Sequence, residues 1–309
     1  MSLVAQSATQ RTVLMGKQAD ALTESADYRV IGRPTATQDM LGDYSMLESM
    51  DQSKTYPVLK QQGRQEPQGT VEFEVTNWNH LYWVLGNIDT ETDESSYFEH
   101  ILKFDDPGNS KVMPYISAEF FYGARTTSNK LLGAMPERYT LSAAEGDMVY
   151  GSLDLIACHG VPNDTKGSVS TSSLDVFEFS QHTLELDSVT YDDVIKSVSL
   201  ELSRNITRGP AWGNVYSQYL RPGPIVGYNL RLELDLPDWN LHTLLTGGTE
   251  FATTLTFSRG ANDEAVFSFP KGRIFSLPEG YDEAITVSAP VELYGDLLVT
   301  TQDQITTYA

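Results

Sequence analysis

The stretch Val71-Glu72-Phe73-Glu74-Val75-Thr76-Asn77-Trp78-Asn79 returns 161 positions later as Leu232-Glu233-Leu234-Asp235-Leu236-Pro237-Asp238-Trp239-Asn240. Gly86 and Gly247 close the two segments at the same distance. In each copy apolar and acidic residues alternate over five positions, then give way to an Asn/Asp-Trp-Asn step and a short apolar run. The alternation predicts a half-buried strand, and the run after it a short helix. Asn77 and Asp238 are candidate N-caps, because a short side-chain oxygen there can accept an orphan amide of the first turn. Trp78 and Trp239 are expected to be core anchors that hold each helix to its sheet. A second echo lies downstream, where Arg138-Tyr139-Thr140-Leu141-Ser142-Ala143-Ala144-Glu145-Gly146 resembles Arg273-Ile274-Phe275-Ser276-Leu277-Pro278-Glu279-Gly280 with one residue deleted. Strand-like runs at 148–158 and 284–293 follow. The repeated order of blocks predicts a duplicated domain.

The chain has 309 residues, more than the ~100–200 of a typical domain, which agrees with two domains that each bury a core. Its 42 Asp+Glu against 21 Lys+Arg give a formal charge of -21, which argues against binding nucleic acid by neutralising phosphates. Cys158 is the single cysteine, so an intrachain disulfide is excluded and a buried small hydrophobe is its expected role. No apolar run approaches the ~18–20 residues of a membrane span, and residues 1–20 lack the apolar centre of a signal peptide. A soluble protein made in the cytoplasm is expected.

Residues 1–40 read as an extended or partly ordered arm, rich in Ser, Thr, Gln and Ala. Beyond it the texture is β: runs at 70–75, 116–121, 148–158, 176–179, 194–202, 230–236, 253–257, 265–269 and 285–293 are aromatic or β-branched and punctuated by Gly, Pro and Asn. This favours an all-β fold with short helices, a sandwich or barrel, and the only helices expected follow Trp78 and Trp239. The polar, turn-rich stretch 161–173 reads as a linker between a first domain at 41–160 and a second at 174–309.

Two segments depart from the acidic average just upstream of the repeated strand. Residues 52–69 carry Lys54, Lys60 and Arg64 against Glu66 alone, and residues 204–231 carry Arg204, Arg208, Arg221 and Arg231 with no acid. The second reads as a long irregular loop, which in a compact domain is uncommon without a task. Its Trp212, Tyr216 and Tyr219 argue against plain disorder. These basic aromatic loops are candidate contacts between copies of the chain. The plainer alternative is a loop folded back on its own domain.

Catalytic chemistry is not in view. His80, His100, His159, His182 and His242 lack metal-ligand spacing, and GxGxxG, GxxxxGK[ST] and GxSxG do not occur. Residues 89–94 alternate carboxylates but lack the glycine and terminal Glu of a calcium loop, so a solvated acidic loop is expected. Glu72/Glu74 and Glu233/Asp235 place two carboxylates on one strand face, which a solvated face explains better than an acid/base pair. No catalytic residue, cofactor site or metal site is assigned.

The step TVEFEVTNWNHLYWVLG, the turn Tyr219-Leu220-Arg221-Pro222-Gly223-Pro224 leading into Val226-Gly227-Tyr228-Asn229-Leu230-Arg231-Leu232-Glu233, and TTLTFSRG followed by FSFPKGRIFSLPEG together resemble tail tube proteins of long-tailed viruses of bacteria and archaea. The resemblance covers about residues 40–300. It implies a β-sandwich or barrel flanked by a short helix, rings whose sheets join into an inner barrel, and stacked rings through which genomic DNA passes without specific binding. It also implies partners in the tape measure, tail terminator and baseplate or tip, a place in the virion tail, and no cofactor or membrane. If one ring holds six such domains, a duplicated chain closes it as a trimer with pseudo-sixfold character. A hexamer of full chains is the alternative. The acidity suits either a lumen that repels DNA or a virus of a salt-loving host, since charge is screened within ~3 Å at 1 M salt. Two other readings stay open: a carbohydrate- or receptor-binding β-sandwich of a spike or adhesin, and, far behind, a carboxylate-dependent glycoside hydrolase.

Overall fold

The first copy of the repeated stretch forms the strand Gln68–Glu74, in which Val71 and Phe73 are buried and Gln68 and Glu72 exposed. The helix after it is His80–Leu85, with all six residues buried. It ends at Gly86 in the left-handed region (φ +84°), a conformation that costs glycine little. Its start departs from the expected cap. Asn79, not Asn77, is the N-cap residue, and no side chain caps the helix. The Asn77 Oδ1 instead accepts from the Asn79 amide at 3.2 Å, so this side chain stabilises the turn before the helix.

The computed structural model describes residues 11–26, 28–32, 34–40, 46–50, 57–62, 65–86, 88–103, 113–122, 126–165, 167, 175–191, 194–211, 215–235, 248, 250–274, 279–281, 285–306 and 308. In chain order these give β1 (Arg11–Gln18), β2 (Arg29–Val30), β3 (Thr35–Asp39), β4 (Met46–Met50), β5 (Pro57–Gln62), β6 (Gln68–Glu74), α1 (His80–Leu85), β7 (Ile88–Asp93), β8 (Phe98–Lys103), β9 (Tyr115–Tyr122), β10 (Thr127–Ala144), β11 (Tyr150–Ile156) and β12 (His159–Thr165). There follow β13 (His182–Leu186), β14 (Val189–Thr190), β15 (Ile195–Arg208), β16 (Leu220–Asp235), β17 (Phe251–Ser258), β18 (Glu264–Ile274), β19 (Glu279–Tyr281), β20 (Ile285–Tyr294) and β21 (Leu298–Asp303). The fold is all-β. Trp239 and the helix expected after it lie outside the described residues, as do Lys54, Arg64, Trp212 and most of the stretch 161–173. Three strands fall within residues 1–40, and β12 enters the expected linker.

Three expectations need correction. Residues 89–94 are not a loop; 88–93 form β7, paired with β8. The run 176–179 ends in a 3₁₀ turn at Phe179–Gln181. The basic stretch 204–231 is not irregular either: it lies in the long hairpin of β15 and β16, whose ladder runs from Ile195↔Leu234 to Arg208↔Leu220. Pro222, Gly223 and Pro224 hide its alternation, and they are tolerated because the pairing shifts register beside them, between Arg204 and Ile206.

β10 is the longest strand and escaped the sequence reading. Register shifts beside Ser128, Leu131 and Pro136 break its period, and Gly133 takes φ +59° where a Cβ would collide with the Ala21 carbonyl. The same breaks let β10 serve two ladders. Its first half pairs β9 and β12, and its second half pairs β11 and β15. β18 does likewise, pairing β17 along residues 264–272, β21 along 264–268 and β20 along 271–274. Eight strands therefore run side by side, all antiparallel, in the order β3-β6-β11-β10-β15-β16-β20-β18. β4 and β5 form a separate two-stranded ladder.

One hydrophobic cluster extends from Val13 to Tyr308 and takes residues from both halves of the chain, in place of two separate cores. Trp78, fully buried, has its ring 4.9 Å from Phe177, 5.7 Å from Phe257 and 5.9 Å from Phe267. Beside it His80 accepts from the Tyr139 hydroxyl at 2.9 Å and donates to the Asn77 carbonyl at 3.1 Å; burial pushes its pKa down to about 3, so the ring stays neutral. A second lock is β8 against β21. There the buried His100 donates to the Ile305 carbonyl at 2.8 Å, lies 3.2 Å from Glu91 and 3.7 Å from Asp303, and stacks on Tyr308 at 4.0 Å.

Trp78→Ala is expected to cost about 3–5 kcal/mol, read as a shift of the denaturation midpoint, because the cavity would open where both halves meet. For His100, burial by itself would lower the pKa, but Asp303, the Ile305 carbonyl and Glu91 outweigh it and raise the value above 6.5. Its stabilising contribution is then complete below pH 6.5 and lost as pH rises through the folded value. The stability difference between the native chain and His100→Ala should therefore be larger at pH 6 than at pH 9, and a difference that grows with pH would contradict the assignment.

Candidate functional site

Alternation in eight adjacent strands produces one broad polar face. A single row crosses it through paired residues Thr35, Glu72, Ser152, Thr140, Glu201, Asn229, Glu292 and Arg273. All are exposed or half-buried, whereas the intervening Val71, Leu153, Tyr139, Leu200, Leu230 and Val291 are buried. Hydroxyls, amides and carboxylates dominate the face: Asp39, Glu72, Glu74, Asp154, Glu201, Glu233, Asp235 and Glu292 outnumber Arg138, Lys196, Arg231 and Arg273. Thr70 donates to Asp154 at 2.7 Å, Arg138 pairs with the same carboxylate at 2.7 Å, and Ser197 donates to Glu233 at 2.9 Å. Lys196 meets Asp235 at 2.8 Å, and this hydrogen bond raises the lysine pKa. The pairs Glu72/Glu74 and Glu233/Asp235 thus belong to a wide sheet surface. Among the described residues no group of three or more His, Cys, Asp or Glu is placed to hold a metal ion.

The second hairpin bends back over the first half of the chain. Ile206 and Leu220 are buried in a small cluster with Ala21, Met113, Met135, Ile156 and Cys158. Arg204 is 7 % exposed and contacts the Met113 sulfur. Arg208 donates to the Pro67 carbonyl at 2.9 Å, with Glu66 at 3.8 Å. Tyr216 stacks on His159 at 4.1 Å, Tyr115 donates to the Leu220 carbonyl at 3.2 Å, and the Gln65 amide donates to the Val215 carbonyl at 2.6 Å. Arg221 is exposed, lying over the Tyr219 ring and donating to its hydroxyl at 2.8 Å. The structure thus brings Arg204, Arg208 and Tyr216 onto this intrachain seam and leaves Arg221 in solvent. In the first hairpin Lys60 stands in β5. The sequence reading missed Leu220, Met113, Tyr115 and His159, since no local pattern marks an apolar residue that is buried by a distant hairpin.

An all-β chain with a broad polar face and long hairpins has the build of a structural assembly protein. Residues 9–293 match the model of the phage tail tube protein family. The chain belongs to that family, and its place is the virion tail. No curated protein matches it. Among the described residues no helix is long and apolar enough to cross a membrane.

Leu220→Ala is expected to destabilise the fold by about 2–5 kcal/mol and to raise the reactivity of Cys158, which is buried beside it. Thiol labelling under native conditions reads the second effect, and an unchanged labelling rate would show that the hairpin does not seal this cluster.

Proposed function

We propose that the chain is the wall unit of the tail tube: three copies close a ring of pseudo-sixfold character, rings stack, and the genome passes along the polar face. The observation that carries this reading is the β10–β15 ladder, which pairs residues 138–144 with 203–197. It joins two units of matching construction. The long hairpin of β3/β4 with β5/β6 corresponds to that of β15 with β16. β9, β11 and β12 correspond to β17, β20 and β21, and β10 corresponds to β18 with β19. The pairing has the same pattern in both: Glu72 faces Thr35 and Ser152, and Glu233, 161 residues on, faces Ser197 and Ser288.

At the two ends of the eight-strand ladder the described residues leave open edges. β3 pairs with β6 alone, and beyond Gly272, which still meets Phe251 of β17, Arg273, Ile274 and β19 pair with β20 alone. An open edge is a template for another strand. A second copy offers its β3 to this edge as β15 is offered to β10, and repetition by rotation closes a ring. The polar face then lines the channel, where its surplus of carboxylates keeps DNA phosphates from adhering. Tape measure, terminator and baseplate proteins would meet the tube along its lumen and at its ends.

Electron microscopy and sedimentation of the purified protein test this. Rings of three chains with a central channel, stacking at higher concentration, are the expected result. Persistent monomers in the salt of the native medium, or rings of six full chains, would overturn it.

A further inference from the structure

We infer that the first hairpin, β4 with β5, seats on the second half of a neighbouring copy, over the surface around Val226, Asn229, Arg273 and Glu292. This rests on the ring reading above and adds to it a lateral contact outside the shared sheet.

The template is the seam made by the second hairpin. Its Ile206 and Leu220 cover Met135 and Ile156 of the first half, and its connecting loop reaches Gln65 and Pro67. The register assigns a counterpart to each of these positions. Leu59 precedes Leu220 by 161 residues. Leu47 faces Gln61 as Ile206 faces Pro222, the residue 161 positions after Gln61. The first hairpin thus carries leucines at the two positions whose counterparts are buried in the seam. Among the described residues β4 and β5 pair only with each other.

The receiving surface maps in the same way. Gln65 and Pro67 correspond to Val226 and Tyr228. Ile156 pairs with Gln68 and Met135, as Glu292 pairs with Asn229 and Arg273. In the first half Met135 and Ile156 are 0 % and 9 % exposed because the following hairpin lies over them. In the second half Glu292 and Arg273 are exposed and Val226 is 71 % exposed. Among the described residues the corresponding surface is covered by a hairpin in the first half and exposed in the second. The hairpin that follows the second half in a ring is the first hairpin of the next chain.

Charge fits as well. Lys60 holds the place of Arg221 in the register, and the receiving surface carries the exposed Glu292 beside Arg273. Exchange of Met135 and Ile156 for Arg273 and Glu292 makes this contact more polar than the intrachain seam, hence weaker and more sensitive to salt.

The test uses the full chain with Leu59 replaced by the photoreactive benzoylphenylalanine, as an equal mixture of isotopically light and heavy protein. Ring formation is followed by electron microscopy in the same sample before irradiation. Light–heavy adducts that map to residues 226–231, 271–274 or 292 are expected. If rings form and the adducts lie within one chain, fall on another surface, or do not arise, the hairpin contact is overturned while the ring stands. If no rings form with either this chain or the native one, the ring reading falls and takes this inference with it. Leu59→Asp supplies a second readout: the circular dichroism of the monomer should not change, while the concentration needed for rings should rise by about tenfold. An unchanged threshold would count against the contact.

Discussion

The interaction on which the rest depends is the seven-residue ladder between the end of β10 and the start of β15. On its inner face it pairs Tyr139 with Leu202, Leu141 with Leu200 and Ala143 with Val198, all buried. On its outer face it pairs Arg138 with Ser203, Thr140 with Glu201 and Ser142 with Ser199. Each backbone hydrogen bond contributes only about 0.5–1.5 kcal/mol net, so the inner side chains do most to hold the register. A slip by one residue would carry the apolar set to the solvent face and break the common core and the polar surface together. One short pairing therefore sets both the stability of the chain and the chemistry of the surface it presents.

Other contacts bind the same two halves by different physics. Trp78 enters from the first half and finds aromatic partners on β17 and β18. β8, also from the first half, adds to the edge of β21 and brings His100 against Asp303. The second hairpin folds back over the first half through a small apolar cluster and a few directed hydrogen bonds. Chain crossings of this kind explain why the two halves of the chain share one continuous core. The halves differ in what they cover: Met135 and Ile156 are buried beneath the second hairpin, whereas Arg273 and Glu292 are exposed.

The acidity of the chain takes a different meaning once the strands are in place. Of the 42 acidic residues, eight stand on the polar face of the eight-strand ladder, where serine, threonine and asparagine separate them. Arginines are interspersed and partly neutralise them, as Arg138 does for Asp154. Such a surface is strongly hydrated and repels phosphate without offering a directed site. Alternation alone produces it.

Much of this was written locally. The alternation of 71–75, the short helix after Trp78 and its buried anchor could be read from residue order, because a strand or helix face is a property of spacing. The all-β class and the tail tube family followed from ordered blocks of the same kind. The 18-residue β10 could not be read, since bulges and Gly133 break its period; nor could the second hairpin, whose Pro-Gly-Pro run looks like a loop. Which strand pairs with which, where the basic residues of the second hairpin go, and that Trp78 meets Phe257 and Phe267 were decided only in three dimensions. Alternation tells a strand which side to bury, whereas its neighbour is chosen by the fit of distant edges and side chains, and no spacing along the chain records that choice.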